Sequence, residues 1–289
     1  LKKLGNLFSY FTAFVFSLLP WKFNKWFAFA LATLWLDILQ IRKKIILENI
    51  HKVFPNIDEN RQYQIAKNSM VALCRSFFDV IRIPFITDKW VSQNVVFEGE
   101  GLSLVKNEKQ GVFFLCLHIG SGDLAAAITS SHIKPVTIIS KRFKNKFLDE
   151  FWFALRGQAK TQFINAHSKG NSFEILAALK NNRGVAFVLD QFMGRPYGIE
   201  TEFFGIKTGT AYGLALFAKK TQKPVYPLYT FWDDQDKFHI CVDEPIDLTQ
   251  ELSETNEVIT NKFNRALERI ILKHPDHWMW VHKRWKMYE

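Results

Sequence analysis

From Val95 onward the chain alternates short apolar, β-rich runs with segments of helical spacing, and this alternation narrows the possible folds more than any other feature. Val112–Leu117, Val136–Ser140, Thr161–Ile164, Val185–Leu189 and Val225–Phe231 read as strands. Leu124–Ile128, Phe147–Arg156, Phe173–Lys180, Ala211–Thr221 and Glu257–Lys273 read as helices. Continuous apolar strands separated by helices belong to sheets covered on both faces. The expectation is an α/β domain with a mixed, mostly parallel central sheet flanked by helices. That domain should span residues 42–289, with a helical subregion at 42–90. In the subregion Ile46, Ile50 and Val53 form one stripe before Phe54-Pro55, and a long helix is expected from Glu59 to Ile83, ended by Pro84. No internal repeat or low-complexity linker interrupts it.

Residues 1–41 are of a different kind. Leu4–Leu19 is mostly apolar and uncharged, Pro20 follows, and a second apolar run covers Phe27–Ile41, broken mainly by Asp37 and Gln40. Neither run clearly reaches the roughly 20 apolar residues that cross a bilayer upright. A short transmembrane anchor, an interfacial helix and a signal peptide all remain open. No small-x-small cleavage site follows the lysines at 2 and 3, so an uncleaved N-terminal helical membrane anchor is favoured, spanning or lying in the interface. The 28 Phe and 9 Trp exceed what a core needs and point to contact with lipid. A net charge of +10 attracts phosphates, whether in nucleic acid, an anionic membrane surface or a phosphorylated substrate. No nucleic-acid recognition motif is present, so no nucleic acid is expected. Cys74, Cys116 and Cys241 are scattered, without metal or disulfide spacing.

The chemistry concentrates at His118-Ile119-Gly120-Ser121-Gly122-Asp123. An apolar strand ends at the histidine, two glycines make a tight turn, and a helix begins. Ligands of α/β folds gather at such strand ends. Gly120, Ser121 and Gly122 let substrate approach the backbone, and the first helix amides can stabilise an oxyanion. A neutral histidine can take a hydroxyl proton, and Asp123 could turn back to hold the imidazole N–H. A histidine at a strand end can equally be a satisfied polar group of the core. Ser121 as nucleophile fits poorly, because Ile119 stands where a Gly-x-Ser-x-Gly elbow needs glycine.

His118-x4-Asp123 resembles the signature of the glycerolipid acyltransferases. The wider pattern resembles one branch, the bacterial lipid A biosynthesis late acyltransferases (lauroyl and myristoyl transferases). It runs through Glu48-Asn49-Ile50…Phe54-Pro55, Lys141-Arg142…Arg156-Gly157, Asp190-Gln191, Phe203-Phe204-Gly205, Thr208–Pro227 and His274-Pro275-Asp276-His277-Trp278 to Trp285. The resemblance implies an enzyme at the cytoplasmic side of the bacterial inner membrane. It would move an acyl chain from an acyl carrier protein or acyl-CoA thioester to a hydroxyl of a lipid A precursor, a phosphorylated glucosamine lipid. No further cofactor is implied. His118 would be the general base and Asp123 its partner. Arg156 would lie near the acceptor phosphate or the reacting centre, where a guanidinium makes paired hydrogen bonds. Asp190, Gln191, Lys141 and Arg142 join it as substrate-binding candidates. Members of this branch usually have glutamate where Asp123 stands, and asparagine and an aromatic at Ser121 and Gly122. That departure bears on the acceptor, which could be another glycolipid or a lysophospholipid. Thioester hydrolysis and a non-enzymatic basic membrane- or nucleic-acid-binding role are the further alternatives. In the C-terminal block, His274, His277 and His282 lack the compact geometry of a zinc site, so no metal is expected. There Trp278, Trp280 and Trp285 beside Lys283, Arg284 and Lys286 suggest a packed basic surface for headgroups or acyl carrier protein.

Overall fold

The computed structural model describes residues 2–157 and 160–288, with side chains from Asn6 onward. Five strands run parallel in the order β8 (Val225–Trp232), β2 (Val112–Cys116), β5 (Gly184–Val188), β3 (Val136–Ser140) and β4 (Gln162–Asn165). Two more strands extend the β8 edge: β9 (Phe238–Val242) pairs antiparallel to β8, and β1 (Val95–Glu98) pairs parallel to β9. The expected mixed, mostly parallel sheet is therefore present, and each expected strand lies within about a residue of its observed bounds, the uncertainty usual at element ends. Strands β1 and β9 were not anticipated. The four residues of β1 alternate half-buried with exposed, too short a run to stand out.

Side chains alternate across β2. Phe113 and Leu115 pack with α9 (Asn171–Lys180), α10 (Gly213–Thr221) and α11 (Asn256–Lys273). Val112 and Phe114 pack on the other face with Ala126 of α7 (Gly122–His132). The sheet is thus buried on both faces, as its unbroken apolar strands require. Helix α10 starts two residues later than expected because Ala211 ends β7 (Ile206–Ala211), which pairs with β6 (Gly198–Phe203) in a separate hairpin. The hairpin turn holds Phe204 and Gly205 at φ 54° and 71°. Two consecutive positive φ values characterise a type I′ turn, a signal that Phe in place of Asn or Asp disguises.

The N-terminal part supplies α1 (Lys2–Ser17), α2 (Lys22–Thr33), a π-helical turn at Leu34–Ile38, α3 (Lys43–Val53) and α4 (Glu59–Arg82). Asp58 caps α4 by accepting the Arg61 N–H at 2.8 Å. α1 lies on α8 (Lys146–Arg156), where Ala13 is buried and the Ser9 hydroxyl donates to the Phe151 carbonyl at 3.1 Å. Away from that contact Leu7, Phe11 and Leu18 remain 63–69% exposed, as do Trp26 and Phe29 on α2 to a similar extent. Among the described residues no helix is long and apolar enough to cross a membrane.

The C-terminal block departs from expectation. Trp278, Trp280 and Arg284 are buried rather than surface groups. The Arg284 guanidinium donates to the Gly209 carbonyl at 2.8 Å and to Thr210 Oγ1 at 2.7 Å, over the Phe203 ring. Burial lowers Arg284 to about 10. A buried guanidinium needs acceptors, and here both terminal nitrogens find them on β7, which fastens this segment to that strand.

Candidate active site

Register brings the key pair together. Cys116 of β2 stands beside Val188 of β5 in parallel pairing, and His118 and Asp190 each follow two residues later. Both therefore emerge from the same sheet edge, where ligands of such folds collect. His118 Nδ1 lies 2.8 Å from Asp190 Oδ1, and the His118 backbone N–H donates to Oδ2 at 3.0 Å. The Trp278 indole N–H donates to the same Oδ2 at 2.7 Å. A carboxylate only accepts, so Nδ1 carries the hydrogen and Nε2 keeps its lone pair. The His118 side chain is 42% exposed while that of Asp190 is 1% exposed, so the imidazole is accessible and its partner is not. Burial pulls the imidazole down, but the charge and hydrogen bond of Asp190, with Asp123 adding from farther off, hold it above the ordinary histidine range. Burial pushes Asp190 up, and the His118 charge and the three hydrogen bonds outweigh it, leaving the carboxyl below its usual range. The Gln191 amide nitrogen sits 3.4 Å from His118 Nε2.

The carboxylate on the imidazole is thus Asp190, where Asp123 was expected. Asp123 instead accepts from Arg156 Nε at 2.6 Å, and Arg156 Nη1 reaches Ser140 Oγ at 3.2 Å. Helix geometry accounts for this. Asp123 sits in the first turn of α7, facing the last turn of α8 that carries Arg156. His118, Gly120, Gly122, Asp123 and Arg156 all line one cavity of about 330 Å³, which continues between Phe77 and Val80 of α4, Phe114, Ala126, Val136, Ile138 and Trp152. Its wall is mostly apolar, with His118, Asp123 and Arg156 among its polar lining groups.

Gly120 has φ +57°, and a Cβ there would stand 2.4 Å from the Thr230 carbonyl oxygen. Only glycine fits that turn. A Cβ on Gly122 would meet nothing within 4 Å, so this position leaves the cavity open. Ser121 is buried, its hydroxyl bonded to the Asp79 carboxylate, which removes it as a nucleophile. Burial raises the Asp79 carboxyl. Lys141 and Arg142 do not reach the cavity. Lys141 is exposed, and Arg142 is bound to Asp149, with its Nε at 2.9 Å and its guanidinium 3.9 Å over Phe153.

Two participants escaped the sequence reading, Asp79 and the Trp278 indole. His277 to Met279 run beside the histidine loop: Gly120 N–H donates to the His277 carbonyl at 3.2 Å and Met279 N–H to the His118 carbonyl at 3.0 Å. Nothing in a stretch read as surface aromatics signals strand-like pairing so far away in the chain.

A family model described as bacterial lipid A biosynthesis acyltransferase matches residues 2–287. A lipid A biosynthesis acyltransferase of Haemophilus influenzae is 24% identical over 261 residues, covering 87% of this chain and 79% of the relative. Lipid A biosynthesis acyltransferase 2 of Shigella flexneri is 21% identical over 238 residues, 81% of this chain and 74% of the relative. Among solved structures, the 1-acyl-sn-glycerophosphate acyltransferase PlsC of Thermotoga maritima is 12% identical, with a TM-score of 0.39, 88% of this chain and 96% of that chain covered.

Proposed function

The chain belongs to the bacterial lipid A biosynthesis acyltransferase family and is an acyltransferase, and from that premise we propose that it esterifies a hydroxyl of a phosphorylated glucosamine lipid with an acyl chain from acyl carrier protein, using His118 as general base. The observation that carries this reading is the His118–Asp190 pair, whose histidine lines a mostly apolar cavity. The acyl chain occupies the cavity, with its thioester carbonyl beside His118. As the acceptor oxygen attacks that carbonyl, Nε2 takes its proton, and Asp190 stabilises the resulting imidazolium. The tetrahedral oxyanion is met by the first amides of α7, at Gly122 and Asp123, which precede the first intrahelical bond (Ala125 N–H to Ser121 C=O). The C–S bond then breaks and the imidazolium proton passes to the leaving thiolate. Arg156 supplies a fixed cation on the cavity wall for the acceptor's phosphate or for charge developing at the carbonyl. The reaction takes place at the cytoplasmic face of the inner membrane. The exposed apolar side chains of α1 and α2 support a lipid surface there, against which those helices lie.

Gly122 favours a second reading in which a different glycolipid or a lysophospholipid is the acceptor, because the open space it leaves relaxes the demand on acceptor shape. The test is transfer by purified protein from acyl carrier protein thioester to a panel of lipid acceptors, with products identified by mass spectrometry. Acylation of the glucosamine lipid, lost in His118→Ala, is the expected outcome. Preference for another acceptor overturns the first reading in favour of the second, and full transfer by His118→Ala removes the base.

A further inference from the structure

Serine at the start of a helix ordinarily turns its hydroxyl onto the second or third amide of the first turn. Ser121 holds that place before α7 and makes no such bond. Its hydroxyl is bonded instead to Asp79 Oδ2, and the Trp232 indole N–H reaches Asp79 Oδ2 at 3.2 Å and Ser121 Oγ at 3.4 Å. Asp79 is fully buried in the last turn of α4. Its other oxygen accepts from Asn24 Nδ2 of α2 at 2.9 Å, and Arg75 lies 3.9 Å away. Asn24 in turn accepts from Arg82 Nε at 2.8 Å, and Arg82 Nη1 donates to the Leu19 carbonyl, between α1 and α2, at 2.7 Å. A continuous set of hydrogen bonds, buried except where it reaches Leu19, therefore joins the α1–α2 turn to the residue that precedes Gly122 and Asp123.

We propose that Asp79 is a positioning residue for acyl transfer: it draws the Ser121 hydroxyl away from the end of α7 and so leaves the first-turn amides to the acyl oxyanion, while Asn24 and Arg82 tie the same carboxylate to the α1–α2 turn. A serine hydroxyl released from Asp79 has the Asp123 and Leu124 amides within the ordinary reach of a capping residue, and it competes with the oxyanion for them. The proposal rests on the oxyanion placement given above, not on the identity of the acceptor.

The test is a double-mutant cycle on the full chain in lipid vesicles, with acyl carrier protein thioester as donor, reading kcat and KM separately. Asp79→Asn keeps the side-chain volume and weakens the hold on Ser121. Its kcat should fall about 10²-fold, the usual effect of losing an oxyanion donor, with KM unchanged. Ser121→Ala should lose less, because alanine cannot cap. The double variant Asp79→Asn/Ser121→Ala should recover to the level of Ser121→Ala, since no hydroxyl is left to compete. A merely structural pair adds its losses, so a double variant as slow as Asp79→Asn, or slower, overturns the proposal, as does a loss carried by KM. If Asp79→Asn does not fold, Trp232→Phe removes the N–H that touches both partners, and the same recovery by Ser121→Ala is required. Failure of the general-base reading looks different: His118→Ala would then retain transfer whatever the cycle shows.

Discussion

Asp190→Asn isolates the role of the carboxylate behind the base. Oδ2 of Asp190 accepts two hydrogens, from the His118 backbone N–H at 3.0 Å and the Trp278 indole at 2.7 Å. Both groups can only donate, so the asparagine oxygen is forced to the Oδ2 position and its NH2 to the Oδ1 position, 2.8 Å from His118 Nδ1. Nδ1 then becomes the acceptor and the hydrogen moves to Nε2, where the lone pair is needed. General-base catalysis is worth about 10²–10⁴-fold, and enforcing the wrong tautomer elsewhere costs about 10⁴-fold, so kcat should fall roughly 10³–10⁴-fold. The pH profile supplies a second readout. In the native enzyme the base must be neutral, and its pKa lies above the ordinary 6.5, so kcat/KM should rise with pH through a midpoint above 6.5. Without the Asp190 charge, burial is opposed only by the more distant Asp123, and the midpoint of the residual activity should move to lower pH. Initial rates of acyl transfer from pH 5 to pH 9, with circular dichroism to show folding, decide it. A folded Asp190→Asn enzyme within about threefold of the native rate, with its midpoint unmoved, refutes the tautomer argument; threefold is far below the tenfold that 1.4 kcal/mol in barrier represents.

Asp123→Asn should cost less than Asp190→Asn, about 10–100-fold, because it loosens Arg156 without touching the imidazole; the same rate assay checks the order, and the reverse order would make Asp123 the partner of the base. Gly120→Ala should destabilise the protein by about 2–4 kcal/mol, from a positive φ and a Cβ 2.4 Å from the Thr230 oxygen, measured as a lowered unfolding midpoint. His274 is stacked on Phe231 at 4.1 Å, and burial, with His277 nearby, lowers it to about 4. It stays neutral in the fold while an unfolded chain protonates near 6.5, so its contribution to stability is complete above that pH and is lost as pH falls toward 4. His274→Phe, which keeps the stack, should flatten the fall in thermal midpoint between those values.

The sheet was legible because its strands are apolar on both sides, a signal that burial on both faces imposes directly. The place of His118 was legible for a related reason: it ends an unbroken apolar run, and the Gly120–Gly122 turn follows. Asp190 was readable as facing the same crevice, since it too ends such a strand, but its pairing with His118 depends on β2 and β5 being neighbours in register, 72 residues apart. Proximity in sequence favoured Asp123, and only the packing of α7 against α8 shows that Arg156 claims it. Lys141 and Arg142 were substrate-binding candidates from the resemblance, yet a matching motif does not show that Asp149 takes the Arg142 charge. Trp278 and Arg284 were hidden by composition, because aromatic and basic residues mixed together describe a membrane-facing surface as well as a buried clasp.

That clasp gives the enzyme an order of completion. His118 leaves the ribosome first, Asp190 follows 72 residues later, and the Trp278 indole that fixes Asp190 comes 88 residues after that. A chain interrupted between Asp190 and Trp278 carries the histidine and its carboxylate but not the donor and the paired segment that hold them. Prematurely terminated products should therefore be inert towards thioesters, and an unfinished chain already in contact with lipid would not consume acyl donor.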